Sequence, residues 1–227
     1  MSSLRGMPRE IRPSEIRYDS GGAVEEIFNS ITHAMGAGLS IAGLIALLVL
    51  SRDDPSVWKS VAFSIYGASQ ILLYLSSALM HSFAALPRVR AVLRVIDQVF
   101  IFLLIAGTYT PVCLIAMRDN VGWLVFGIIW GLALVGILLK TLLAKRSSLV
   151  ADLFYVPMGW LIVFAFRPML ESTSVAFATW MLIGGASYTI GVIFYAWKKL
   201  RFSHVIWHLF VIGGSVSFFM GFALYLA

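Results

Sequence analysis

Two histidines near the C-terminal end of the chain have a spacing that suits a metal ion. His204 and His208 are four residues apart in an apolar stretch that continues to Ala227. A helix would place both imidazoles on one face, one turn apart, and helical His-x-x-x-His pairs are a known pattern for binding a single metal ion. Ionisable side chains are rare in apolar, membrane-like sequence and usually have a function there. The pair therefore predicts one wall of a metal site.

The composition indicates an integral membrane protein. Of the 227 residues, 60% are hydrophobic and only 12% are charged, whereas a soluble domain has about 25% charged residues. The net charge of +6 does not indicate nucleic-acid binding, because basic residues in a membrane protein mostly report its topology. Cys113 is the single cysteine, so an internal disulfide is excluded.

The chain divides into a polar N-terminal tail, residues 1–24, and a membrane domain, residues 25–227. A membrane span needs about 20 mostly apolar residues, and seven runs in the second part meet that length. The fold class predicted is an all-α integral membrane protein, a seven-transmembrane helix bundle with short connections. The predicted spans are 27–50, 60–83, 93–116, 121–143, 149–168, 175–197 and 204–227.

Basic residues predict a cytoplasmic N-terminus and an outside C-terminus. With that orientation, 13 of the 17 Lys and Arg residues fall on the inner side, as the positive-inside rule requires. The four on the outer side are Arg52, Lys59, Arg118 and Arg167. Such a multi-pass chain is expected in the plasma membrane, which is the inner membrane if the source is bacterial.

This topology brings the ionisable side chains to one depth. His81 ends the second span, Asp97 lies about one turn into the third, and His204 and His208 begin the seventh, all near the cytoplasmic boundary. Three neutral imidazoles with one open position form a catalytic type of zinc site, so zinc is the predicted cofactor, with His81, His204 and His208 as its ligands. Asp97 would be the acid/base partner of a water on the metal. Ser77, one turn before His81, would hydrogen-bond the same water or a developing oxyanion.

Plainer interpretations exist for these residues. Asp97 is also placed to form an interfacial ion pair with Arg94, and helical serines such as Ser77 often bond back to a carbonyl one turn earlier. Glu25 and Glu26 are expected to stabilise the start of the first helix through its dipole. His33, in the same helix, has no evident partner and fits either a supporting role beside the metal or simple packing.

Several segments together resemble one family. The chain is similar to the hemolysin III family of the progestin and adipoQ receptor superfamily, which includes the adiponectin receptors, over essentially the whole seven-helix region. The resemblance implies an intracellular N-terminus and a zinc ion in the inner leaflet bound by His81, His204 and His208, with Ser77 and Asp97 beside the metal-bound water. The matching segments are Glu26-x-x-Asn29-x-x-Thr32-His33, Ser77-x-x-x-His81, Asp97 with Ala106 to Pro111, Gly191 to Tyr195, and His204-x-x-x-His208.

The superfamily is grouped with membrane-embedded metal-dependent hydrolases, and its receptor members are similar to ceramidases. The resemblance thus implies a zinc-dependent hydrolase of a lipid amide or ester, with a membrane lipid as substrate or ligand. Two alternatives stay open: a receptor-like or homeostasis protein in which zinc is structural, and a cytolysin, an activity attributed to some members. A pore needs a polar stripe through both leaflets, and the sequence lacks one in the outer half.

Overall fold

The computed structural model describes residues 22–142, 154–197 and 199–227, and these residues are almost entirely helical. Outside these ranges lie the basic residues of the predicted N-terminal tail and three others predicted on the inner side, Lys145, Arg146 and Lys198. Asp152, near the start of the predicted fifth span, also lies outside them. The described helices are α1 (Ala23–Leu50), α2 (Val57–Ser82), α3 (Pro87–Pro111), α4 (Gly122–Leu142), α5 (Tyr155–Gly159), α6 (Phe166–Ser172), α7 (Val175–Ala196) and α8 (Ser203–Tyr225).

Six of these helices are long and apolar enough to cross a membrane: α1, α2, α3, α4, α7 and α8. Each is at least 21 residues long, which exceeds the roughly 20 residues that a bilayer requires. The fold class is therefore confirmed as an all-helical membrane protein. The seven-span count and the orientation of the termini stay predictions.

The predicted fifth span, 149–168, differs from a simple helix in its described part. From residue 154 onwards it consists of α5, a 3₁₀ segment at Leu161–Ala165, and α6. The Tyr155 hydroxyl donates to the backbone carbonyl of Gln98 at 2.9 Å, and the Tyr109 hydroxyl donates to the carbonyl of Gly159 at 2.8 Å. This segment thus runs along α3 in the same direction as α3.

Local sequence signals explain where the long helices begin and end. Ser56 and Ser174 precede α2 and α7, and each side-chain oxygen accepts a hydrogen bond from a first-turn backbone N–H, as N-cap residues do. Pro87 occupies the first turn of α3, where its missing N–H costs nothing. At the other end, α3 passes at Pro111 into a π-helical turn, Val112–Ala116, since proline cannot continue the regular hydrogen-bond ladder.

Close packing between helices fixes the position of α8, which carries two of the histidines. A Cβ atom built on Gly214 would lie 2.3 Å from the Tyr188 ring, and one on Gly184 would lie 2.7 Å from the Phe218 ring. Only glycine at these positions lets α7 and α8 approach so closely, as is usual for small residues between membrane helices.

The ends of four helices meet at one end of the bundle. Contacts join the first turns of α1 to the last turn of α2, to the first turn of α3 and to the start of α8. The start of α8 is preceded by Phe202 in the left-handed region, with φ at 58°, whose ring packs edge-on against Phe28 of α1 at 5.9 Å. This end of the bundle is where the predicted functional residues lie.

Candidate metal centre

The structure brings together the three histidines predicted as metal ligands. His204 and His208 lie one turn apart at the start of α8, and His81 approaches them from the last turn of α2. One ring nitrogen from each histidine can be chosen so that all three lie within 4.8 Å of one another. The ring centroids are 4.6 to 5.1 Å apart. His81 and His208 are buried, while His204 is half-buried. The cluster is therefore accessible from the side on which His204 lies.

The hydrogen bonds of His81 show that the cluster suits a metal. Its Nδ1 atom lies 2.5 Å from Oε2 of Glu26, so Nδ1–H donates to the carboxylate and Nε2 is left with a lone pair. That Nε2 atom is buried and has no hydrogen-bond partner. A buried nitrogen without a partner is costly, whereas a ligating histidine bonded through its other nitrogen to a carboxylate is a common arrangement at metal sites. The residues present therefore fit a zinc ion, which prefers nitrogen ligands.

Glu26 lies in the first turn of α1, where the sequence places it to stabilise the helix dipole, and it also makes specific contacts with other helices. Its side chain is buried, with 4% exposure. Besides His81, it accepts a hydrogen bond from Nη2 of Arg90 at 2.5 Å, and Arg90 of α3 is itself buried. Arg90, Glu26 and His81 thus form a hydrogen-bonded chain that joins α3, α1 and α2.

α1 also contacts the histidine pair on α8. Oγ1 of Thr32 lies 3.2 Å from Nδ1 of His208, and the same hydroxyl also contacts the carbonyls of Phe28 and Asn29 in its own helix. The ring of His33 stacks on the ring of His208, with centroids 3.4 Å apart and planes at 18°. His33, left without a partner by the sequence, therefore packs directly against a candidate ligand but is not one of the three whose nitrogens converge.

Two residues of α1 near the histidine cluster carry buried polar atoms without hydrogen-bond partners. Both side-chain atoms of Asn29 and both ring nitrogens of His33 are buried and make no hydrogen bond. Asn29 follows Glu26 by three residues and precedes His33 by four, so the three side chains share one face of α1. Buried polar groups nearly always have partners. These atoms therefore provide hydrogen-bonding positions for a water molecule or a polar ligand beside the histidines.

Ser77 and Asp97, predicted to act beside the metal, lie on helices that reach the site. Ser77 is buried one turn before His81 on α2, and Asp97 is half-buried on α3. Asp97 follows Arg90 by seven residues and so lies about two turns further along the same face of α3. The chemical roles of both residues stay predictions.

An apolar layer lies next to the site, on the side of the membrane interior. Leu104 lies seven residues beyond Asp97 on the same face of α3. It packs in a buried cluster with residues that lie one or two turns from the histidines on their own helices. The other members are Ala37 of α1, Leu73 and Tyr74 of α2, and Val211 of α8.

Comparison with known proteins decides the family. A model of the family described as "Haemolysin-III related" matches residues 22–219, which include every residue of the site. The chain belongs to the haemolysin-III family. Among its relatives are hemolysin-3 of Bacillus cereus, 45% identical over 86% of this chain and 89% of its own, and a hemolysin-3 homolog of Bacillus subtilis, 44% identical over 86% and 91%. The human monocyte to macrophage differentiation factor is more distant, at 27% identity over 82% of this chain and 78% of its own.

The family resemblance expected from the sequence is therefore confirmed. Glu26 and Arg90 are the contributors that residue-by-residue reasoning missed, because their roles depend on how α1 and α3 pack against the end of α2. One signal was available: Glu26 shares a helical face with Asn29 and His33, and three polar residues on one face of an apolar helix indicate a buried partner.

Proposed function

We propose that this chain is a zinc-dependent hydrolase of a lipid amide or ester. The observation that carries the proposal is the buried cluster of His81, His204 and His208, in which Nε2 of His81 has no partner. Three histidines leave one coordination position for water or substrate, which is the composition of a catalytic rather than a structural zinc site. Bound zinc would supply a Lewis acid and would make water a nucleophile at neutral pH.

The side chains around the cluster would hold the histidine rings in the orientation that binds the metal. Glu26, held by Arg90, fixes the tautomer and ring orientation of His81, and Thr32 contacts the ring nitrogen of His208 that faces α1. Such hydrogen bonds to ligating histidines orient them and raise their basicity. α1 therefore contributes positioning groups, while α2 and α8 contribute the ligands.

We assign the proton transfer to Asp97. Ser77 is expected to form a hydrogen bond to the reacting oxygen. A carboxylate near the reacting centre can take a proton from the nucleophile and return it to the leaving group. A hydroxyl directed at a developing negative charge stabilises the transition state. The unpartnered atoms of Asn29 and His33 are available for polar groups of the substrate.

The substrate class follows from the surroundings of the site. The cluster lies at the ends of membrane-length helices and beneath an apolar layer, so an amphiphile can place its polar linkage at the metal and its hydrocarbon part in the bilayer. We place the protein in the plasma membrane, with this end of the bundle at the cytoplasmic face, where the basic residues predict it.

Two variants of the purified, zinc-loaded protein test the proposal. His208→Ala should lose both zinc, measured by elemental analysis, and hydrolysis of N-acyl and O-acyl lipids of matched chain length. Asp97→Asn should keep its zinc and lose at least about 100-fold in turnover, as expected for a general acid/base. Full zinc content in His208→Ala would show that the ligand set is wrong. Unchanged turnover in Asp97→Asn would show that this carboxylate does not carry out the proton transfer.

A structural zinc in a receptor-like or homeostasis protein is the second candidate. It is favoured by the way the cluster joins α1, α2 and α8 through His81, His208 and their partners on α1. In that case chelation should lower the unfolding temperature, and neither the wild type nor Asp97→Asn should hydrolyse any lipid tested. Zinc-dependent turnover in the wild type excludes this candidate.

A cytolytic activity is the third candidate, since the two Bacillus relatives carry hemolysin in their names. Release of a trapped dye from pure lipid vesicles by the wild type, and equally by His81→Ala, would establish a lytic activity independent of the metal site. Retention of the dye would exclude it.

A further inference from the structure

We propose that the middle of the bundle contains a second binding site, between α1, α2 and α8, for a neutral lipid that carries a carbonyl or hydroxyl oxygen. It is separate from the histidine cluster, and its argument does not depend on the proposed hydrolase activity. A cavity of about 360 Å³ lies there, within the range of small-molecule sites. Its lining includes Ser40 of α1, Gln70 of α2 and Ser215 of α8.

The position of Gln70 along α2 shows how deep in the bundle this cavity lies. Gln70 lies near the centre of α2, eleven residues before His81, which corresponds to about 16 Å along a helix. Tyr74 stands between the two sites: its ring packs edge-on against His33 at 5.0 Å, while its hydroxyl bonds Oγ of Ser215 at 2.7 Å. A molecule in the cavity is therefore held apart from the histidines by the Tyr74 side chain.

A polar network lines the cavity at this depth. Oγ of Ser40 donates to the backbone carbonyl of Gly36 at 2.7 Å and also lies 3.3 Å from Oε1 of Gln70. The hydroxyl of Tyr66 donates to the backbone carbonyl of Ser215 at 3.2 Å. The hydroxyls of Tyr74 and Tyr188 both bond Oγ of Ser215, at 2.7 and 2.8 Å. In the interior of a membrane protein, polar groups must satisfy one another or a ligand.

One hydrogen-bond donor of this network, the amide nitrogen of Gln70, has no partner. The Gln70 side chain is only 5% exposed, and its Nε2 atom has no hydrogen-bond partner. The side chain also interacts with Tyr66, but no hydrogen bond of normal geometry reaches the amide nitrogen. An amide nitrogen carries two N–H donors and no acceptor, so the group that satisfies it must present an acceptor oxygen.

The remaining lining defines the rest of the ligand. No residue that lines the cavity carries a charge, and most are aliphatic or aromatic, so a charged head group would have no counter-ion. Leu39 and Val216 line the cavity and are about half exposed on the outer surface of the bundle, at 54% and 45%. The cavity thus opens sideways to the hydrocarbon of the bilayer, from which a neutral, chain-like molecule would enter.

Small residues on α1 leave the space that forms the cavity. Gly36, Ser40 and Gly43 follow one another at helical spacing along the face that lines the cavity. A Cβ atom on Gly43 would lie 3.4 Å from the Phe219 ring, so a branched side chain there would extend into the cavity. Gly38, on the same helix, has no atom within 4 Å of such a Cβ and provides a matched control.

The test uses photo-crosslinking of the full-length, zinc-loaded protein in lipid nanodiscs. One diazirine probe is a long-chain methyl ketone, and the other is the alkane of the same length. In the wild type we expect half-maximal labelling by the ketone at about tenfold lower concentration, equivalent to about 1.4 kcal/mol, with labels on α1 and α8. Gln70→Leu should remove this preference, whereas the same substitution at Gln98, outside the cavity, should keep it.

Filling the cavity provides the second test. Gly43→Val should lose labelling by both probes in this region, and Gly38→Val should label like the wild type. Equal labelling of the wild type by ketone and alkane would overturn the proposal, because water alone would then satisfy Gln70. Retained ketone preference in Gln70→Leu, or unchanged labelling in Gly43→Val, would overturn it as well.

Discussion

Replacing Glu26 by glutamine tests whether α1 holds the histidine site in shape. The carboxylate accepts hydrogen bonds from Nδ1 of His81 and Nη2 of Arg90, both at 2.5 Å, and its side chain is only 4% exposed. Glutamine keeps the size of the side chain but loses its charge and one of its two acceptor oxygens. Loss of such a partner of a ligating histidine typically lowers metal affinity 10- to 100-fold. We expect Glu26→Gln to weaken zinc binding by about that factor.

The same substitution lowers stability through a separate contact. Arg90 loses its charge partner at Glu26, and a hydrogen bond to a charged group contributes about 1.5–3 kcal/mol. The double variant Glu26→Gln/Arg90→Gln places two neutral amides opposite each other. It should recover part of the stability without recovering the zinc affinity, because the carboxylate next to His81 is still missing.

The assay is a zinc titration in detergent against a chelator of known affinity, with thermal unfolding of the zinc-free protein measured in parallel. Glu171→Gln is the control, since Glu171 forms an exposed ion pair with Arg167 at 2.8 Å and should affect neither quantity. Wild-type zinc affinity in a folded Glu26→Gln protein would refute the role assigned to α1.

Two further predictions concern packing around the histidines and between the last helices. His33→Phe keeps a ring stacked on His208 and should retain the wild-type zinc content, measured by elemental analysis. Loss of the metal in this variant would indicate that His33 is itself a ligand. Gly214→Ala should lower the free energy of unfolding by about 1–3 kcal/mol, because its Cβ would lie 2.3 Å from the Tyr188 ring. Gly213→Ala, whose Cβ meets a single hydroxyl oxygen at 3.4 Å, should be tolerated, and equal stability of the two variants in thermal unfolding would contradict the packing argument.

Composition and periodicity were sufficient to predict a helical membrane protein and the three converging histidines. His204 and His208 are neighbours by helical spacing alone. His81 joins them because alternating spans return the end of α2 to the end of the bundle where α8 begins. Such a prediction needs only the order of the helices and the position of each residue along its helix.

Rotation of each helix and the identity of its neighbours were decided only by the tertiary structure. Glu26 could face water at the start of α1 or turn inward, and packing against α2 and α3 placed it between His81 and Arg90. Packing likewise stacked His33 on His208 and left a cavity around Gln70. Depth along a helix is a property of the chain, whereas the face that a helix turns toward its neighbours results from many contacts between side chains far apart in sequence.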